Sequence, residues 1–329
     1  MPDPFQVFAE RMLHPDSQII PRILAAMITA SQAELLLALP GTAARMAEKL
    51  GRPAAEVEAD LKDMFRKGLT FKRIQGQEAT WRAPAHLPQF HDGTIVWPEA
   101  TPEFYRLWRE YMETEWPKLA PLLVKFMPRP YTRVIPVAKS LDAGRVRVLA
   151  PESVRDIIAA AKRLAVTKCT CRLTMQHCDA PIEVCLQVDR AADYTIERGT
   201  GRELTAAQAL EVVAQTEDAG LVHVTMNKAS VGHFICNCCG CCCQSFTLLI
   251  SDGLPLCDPS RYRPQVDAAA CTGCAACEAR CWFDAIAVGE EGVAAVAAET
   301  CVGCGQCAIG CPEGAIVMAA VRAPEFIPE

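Results

Sequence analysis

The sequence predicts an α+β chain of several domains, and three observations predict it. Apolar residues in the first part recur at helical spacing and give way to short extended runs. The middle part alternates helix-like with strand-like segments and holds ten cysteines between Cys169 and Cys243. The last part repeats one spacing, C-x2-C-x2-C-x3-C, first as Cys271, Cys274, Cys277, Cys281 and then as Cys301, Cys304, Cys307, Cys311, closed by Pro312. The expected divisions are residues 1–83, a linker with a helix and a hairpin at 84–150, a cysteine-rich α/β module at 151–256, and the cysteine-repeat domain at 257–329.

In order, Ile20, Ile23, Leu24, Met27 and Ile28 lie at helical spacing, and a stripe of Leu35, Leu36 and Leu39 stops at Pro40-Gly41. Thr42 is an expected N-cap for a helix through Leu50 that Gly51 ends. A third helix opens at Pro53, buries Val57, Leu61, Met64 and Phe65, and ends near Gly68. Runs at Leu69 to Ile74 and Thr80 to Arg82 flank Gly76 as a hairpin. Three helices and a hairpin resemble a winged-helix domain. The resemblance implies DNA contact through the third helix, but Glu56, Glu58, Asp60 and Asp63 offset Lys62, Arg66 and Lys67 there, so a structural or docking role is expected.

Residues 84–102, with Pro84, Pro88, Pro98 and Pro102, read as loop. Thr101-Pro102 then starts a helix whose stripe of Phe104, Leu107, Trp108 and Tyr111 is expected in the core. Prolines 117, 121, 128 and 130 are expected to break the next stretch of chain, and Arg133 to Val137 with Arg145 to Leu149 suggest a second hairpin about Asp142-Ala143-Gly144. From Pro151 a helix with Val154, Ile157, Ile158 and Ala161 inward leads to a strand at Leu164 to Lys168. Thr205 caps a helix with Ala209, Leu210 and Val213 inward, ending near Gly220, and extended runs at Leu221 to Thr225 and up to Ile235 come after it. Gly199-Thr200-Gly201 lacks the third glycine of a dinucleotide fingerprint, so flavin or nicotinamide binding is not expected.

Nineteen cysteines behind an N-terminus without a signal pattern point to metal in a reducing cytoplasm rather than to disulfides. The apolar stretch from Ile19 to Leu39 is interrupted by Pro21, Arg22, Gln32 and Glu34, so no membrane segment is expected. Thiolates are soft donors suited to iron, and the x2 spacing lets three of them face one cubane while the fourth comes from elsewhere. The tail resembles bacterial-type ferredoxins that carry two [4Fe-4S] clusters. The resemblance implies one cluster on Cys271, Cys274, Cys277 and Cys311, and another on Cys301, Cys304, Cys307 and Cys281. Ala285-Ile286 and Ala315-Ile316 extend the repeat, so two halves related by pseudo-two-fold symmetry are implied. Trp282 stands where that family usually has proline, with an expected influence on solvent exposure near Cys281.

The middle module presents Cys169, Cys171, Cys178 and Cys185, then Cys236, Cys238, Cys239, Cys241, Cys242 and Cys243. Neighbouring side chains on an extended segment point to opposite faces, so alternate members of the second run are expected to serve different sites. One or two further iron–sulfur clusters are expected here, ahead of a zinc site or redox-active thiols. His177 and His233 lie beside the cysteines and are read as ordinary polar residues before ligands. Cys238-Cys239-Gly240 is similar to the CCG motif of the catalytic subunit of heterodisulfide reductases, which implies a non-cubane cluster that cleaves disulfides. Arg172 is a candidate to temper cluster charge or orient an anionic substrate.

From Cys257 onward ten acids face four bases, a surplus equal to the whole formal charge of −6. Such a domain suits a basic docking surface on a redox partner and repels nucleic acid. The order of parts resembles poorly characterised ferredoxin-domain proteins of anaerobes. The expected function is a cytoplasmic relay of single electrons through the two tail clusters to or from middle-module clusters, and a homo-oligomer is compatible with it. Two alternatives are a disulfide-reductase-like oxidoreductase acting at Cys236 to Cys243, and a redox sensor using the winged helix on DNA.

Overall fold

The structure is a computed structural model in which residues 2–76, 78–142, 148–230 and 232–329 are described. The chain divides into two compact units, Met1–Ala120 with Leu173–Met175, and Pro121–Arg172 with Gln176–Glu329.

The first unit holds α1 (Pro4–Arg11), α2 (Ile20–Ala25), α3 (Ala30–Ala38), β1 (Gly41–Thr42), α4 (Ala43–Leu50), α5 (Ala54–Arg66), β2 (Phe71–Gln75), β3 (Glu78–Arg82), α6 (Leu87–Ile95) and α7 (Pro102–Thr114). Local signals account for most of these limits. Thr42 accepts a hydrogen bond from the Arg45 N–H at the start of α4, and Gly51 ends the helix in the left-handed region. The hairpin β2–β3 forms, and β1 joins it to give a three-stranded antiparallel sheet in the order β1-β3-β2. The bases on α5 are engaged by acids: Lys62 pairs with Glu58, Lys67 with Asp63, and Arg66 with Glu99.

Residues 84–102 are not all loop, because α6 lies within them. His86 Nδ1 accepts a hydrogen bond from the Gln89 N–H, and Pro88 sits in the first turn, where a missing N–H costs nothing. Likewise α8 (Trp116–Phe126) runs through Pro117 and Pro121. Pro117 occupies the first turn, and buried Trp116, Leu119 and Ala120 hold the helix despite the hydrogen bond that Pro121 cannot make.

The second unit continues with β4 (Thr132–Val134), α9 (Ala138–Asp142), a 3-10 turn at Ala150–Glu152, α10 (Val154–Ala160), β5 (Leu164–Lys168), the start of α11 (Thr170–Met175), whose Leu173–Met175 belong to the first unit, then β6 (Glu183–Val188), α12 (Arg190–Glu197), β7 (Gly201–Leu204), α13 (Ala206–Asp218), β8 (Val222–Met226), β9 (Phe234–Cys238), α14 (Phe246–Asp252) and β10 (Cys257–Asp258). Its seven-stranded sheet has the order β10-β4-β8-β9-β6-β5-β7. Neighbours are antiparallel except β10 with β4. The module is therefore α+β rather than the expected α/β, since the short return from β8 to β9 cannot make a parallel crossover. The expected second hairpin does not form. Instead β4 pairs with β8 and β10, and residues 143–147 of the expected hairpin lie outside the described residues. On α13 it is Val212 that faces inward, while Leu210 is exposed.

The tail contributes β11 (Tyr262–Val266), β12 (Ile286–Val288), β13 (Ala294–Val296), α15 (Gln306–Ile309) and β14 (Ile316–Ala320). β11 pairs antiparallel with β14, and β12 with β13. Among the described residues, no helix is long and apolar enough to cross a membrane.

Burial lowers the pKa of His86 and of His14 in the first unit. A histidine held neutral by the fold costs stability once the unfolded form begins to take up protons. The stability of this unit should therefore fall as pH drops below about 6.5. The cap adds to this, because a protonated Nδ1 on His86 cannot accept from Gln89. His86→Asn keeps a capping acceptor and removes the titration. Its melting temperature should depend less on pH than that of the parent between about pH 7 and pH 5. Thermal unfolding followed by circular dichroism across that range checks this.

Candidate metal centres

Leu186 of β6 pairs with Val166 of β5 on one side and Ile235 of β9 on the other. Both β5 and β9 run antiparallel to β6, so their C-terminal ends emerge at the same end of the sheet. Cys169 comes directly after β5, Cys171 lies in α11 and Cys178 in the loop beyond it, while Cys236 and Cys238 close β9 and lead into Cys239 to Cys243. The sheet thus gathers two segments nearly seventy residues apart into one thiol-rich end.

The thiols fall into two sets, and simple alternation does not describe the division. In the first set, Cys178 Sγ lies 3.8 Å from Cys239 Sγ and 3.9 Å from Cys242 Sγ, and Cys241 lies 3.8 Å from Cys242. All four sulfurs are within 4.8 Å of one another. The second set joins Cys169 to Cys171, Cys171 to Cys243, Cys243 to Cys238 and Cys238 to Cys236. Cys185 stays on β6, where its sulfur accepts a hydrogen bond from the Gln187 side chain. His177 Nδ1 donates to the carbonyl of Cys241, and the close-packed thiol set includes neither His177 nor His233.

The electrostatics differ between the sets. Hydrogen bonds from Cys171, Cys238 and the Phe246 and Ser245 N–H groups bring the Cys243 thiol down to about 6 despite its burial. Burial would raise Cys178, but the Ala180 N–H and the thiols of Cys241, Cys239 and Cys242 outweigh it and lower its pKa. Burial pushes Cys242 up to about 12. Arg172 is 1% exposed and donates to Pro181 and Asn237 carbonyls, with Nη1 3.7 Å from Cys239 Sγ. Burial opposes its charge, and Cys169, Cys239 and Cys238 favour it more strongly.

Asn237 separates Cys236 from Cys238 and faces the opposite side of β9. Its Oδ1 accepts from His223 at 2.6 Å and Thr216 at 3.2 Å, and its Nδ2 donates to the Val184 carbonyl at 2.5 Å. His223 also lies 3.3 Å from Glu217, which accepts from the Ala138 N–H. This buried network sets the orientation of the run on both flanks.

In the tail, Cys271, Cys274, Cys277 and Cys311 line one cavity, and Cys281, Cys301, Cys304 and Cys307 line another. Gly273 and Gly303, both at φ 68°, hold equivalent places in the two. A Cβ on Gly273 would stand 2.5 Å from the Gly292 carbonyl, and one on Gly303 2.0 Å from that of Tyr262. Only glycine fits these turns. Backbone N–H groups point at the sulfurs, Ala294 at Cys271 and Ala285 at Cys281. Each lining fits a [4Fe-4S] cluster, with four thiols and directed N–H groups in an apolar shell.

Trp282 now acquires a role that its sequence position did not reveal. Its indole N–H donates to the Gly220 carbonyl at 2.8 Å, and its ring lies against Gly240 within the cysteine run. Phe283 meets Phe246 edge to face at 5.0 Å. A single apolar cluster therefore contains Cys236, Cys238 and Cys243 of the second thiol set together with Cys281, Cys301 and Cys304 of the second tail cavity. Cys257, which the cysteine spacing left unassigned, is buried in the same cluster.

The family profile of the 4Fe-4S dicluster domain matches residues 270–316. No curated protein and no solved structure matches the chain.

Two substitutions probe this assembly. Asn237→Ala strands the Val184 carbonyl and removes the acceptor of His223, and should destabilise the protein by at least about 2 kcal/mol in chemical unfolding. Gly240→Ala drives a methyl to within 2.9 Å of the Trp282 ring, and should cost about 1–3 kcal/mol while changing Trp282 fluorescence.

Proposed function

We propose that the protein is a one-electron carrier whose tail holds two [4Fe-4S] clusters and whose middle module holds a third iron–sulfur centre on the second thiol set. Bound clusters of this kind exchange single electrons at potentials set by charge, hydrogen bonding and solvent exposure. The observation that carries the reading is the shared apolar cluster, which packs the cysteines of the second tail cavity against Cys236, Cys238 and Cys243.

The residues grade solvent access along the tail. Cys274 in the first cavity is exposed, which presents that end to an external partner. In the second cavity none of the four cysteines is exposed, and Phe283 lines it. The acidic surplus of the tail selects a partner with a basic docking surface. Nineteen cysteines grouped as metal ligands suit a reducing cytoplasm.

Anaerobic purification with iron and acid-labile sulfide counts tests the reading, and three cubane-type centres would give about twelve of each per chain. Reduction with dithionite should produce electron paramagnetic resonance signals from interacting clusters. Fewer than about eight irons and no signal on reduction would refute it. Electron exchange with a basic redox protein should slow as ionic strength rises, because screening removes the attraction to the acidic tail. Stopped-flow kinetics across a salt series measures this.

A further inference from the structure

We infer that Cys178, Cys239, Cys241 and Cys242 hold a single, tetrahedrally coordinated divalent metal ion, zinc or iron without sulfide, beside the iron–sulfur centres rather than as one of them. Four sulfurs each ~2.3 Å from one ion stand about 3.8 Å apart. Three of the contacts in this set measure 3.8, 3.9 and 3.8 Å, and every pair lies within 4.8 Å. A cubane instead carries its four thiolates on the outer corners of a cage and holds them much farther apart. The same chain supplies the comparison. Among the described residues, neither the tail cavities nor the second thiol set bring four sulfurs this close together.

Charge and hydrogen bonding support the same assignment independently. Binding of a divalent ion by four thiols releases four protons and leaves a centre of net charge −2. Arg172 is buried with Nη1 3.7 Å from Cys239 Sγ, and its remaining buried Nη2 has no hydrogen-bond partner. No carboxylate pairs with this guanidinium among the described residues, so thiolates are the anions available to it. Cys169 and Cys238 of the second set also face this cation, and ionised Cys239 is the member of the four that compensates it at 3.7 Å. The Ala180 N–H points at Cys178 Sγ and the His177 N–H at Cys242 Sγ, the kind of outer support that orients metal thiolates. His177 also anchors the Cys241 carbonyl, fixing the turn from which three of the four ligands come. Cys178 and Cys241 are only partly buried, so an ion can enter from solvent.

The inference concerns the module in which the proposed function places its third centre, but it stands or falls separately. The full chain is produced in iron-supplemented and zinc-supplemented media and purified anaerobically. Metal content is set against acid-labile sulfide. The expected result is one metal ion per chain in excess of the iron that matches sulfide, zinc in one medium or iron in the other. X-ray absorption of the zinc-loaded protein should show four sulfurs at ~2.3 Å and no neighbouring metal. Cys178→Ser should lose that ion and leave sulfide unchanged. The inference is overturned if there is no excess ion, or if Cys178→Ser removes about four irons and four sulfides together. The absorption measurement on the parent protein decides the matter even if the variant fails to fold. A sulfide count below eight would remove the electron-carrier reading while leaving this site intact.

Discussion

The packing of Trp282 against Gly240 is the contact on which the metal-binding unit depends. The ring sits where any side chain at position 240 would collide with it, and its N–H is satisfied by the Gly220 carbonyl. Around this anchor, Gln306 donates to the Leu221 carbonyl, and Arg280 bridges the Glu217 carbonyl and the Gln306 side chain. The second tail cavity is thereby tied to the turn between α13 and β8 and to the cysteine run in one step. An apolar body with a single polar handle suits this task, because it buries area without leaving an unpaired donor. A proline at that position would supply neither the ring nor the N–H.

The middle module uses buried polar groups to give each sulfur a distinct environment. Asn237 fixes one face of β9 through His223, Thr216 and Val184, which leaves Cys236 and Cys238 to the other face. Arg172 links the two cysteine-bearing segments by donating to Pro181 on one and Asn237 on the other, while lying beside Cys239. In a low-dielectric interior such groups are costly unless fully engaged, so the network also limits which thiols can move. The run then presents its thiols in two groups.

Helices, caps and the hairpin of the first unit arise from local chemistry, and so they were legible: Thr42 and Gly51 bound α4, and the apolar stripe of α7 is buried as its spacing required. Among the elements that were missed, α6 and α8 carry prolines in their first turns, where proline starts a helix as readily as it ends one. Strand partners were less legible still. β4 pairs with β8 and β10, which lie some ninety and more than a hundred residues away, and no local pattern encodes that choice.

By itself the sequence determined the cysteine repeat, the equivalent glycines within it and the acidic surplus of the tail, since each is a property of spacing or composition. Tertiary structure alone decided which thiols meet. Cys178 leaves Cys169 and Cys171 to join Cys239, Cys241 and Cys242, and Cys185 lies on β6 beside the Gln187 side chain. The reason is physical. A strand fixes only the side to which a cysteine points, whereas its neighbours depend on which strands pair, on where the connecting turns lead, and on what packs against them.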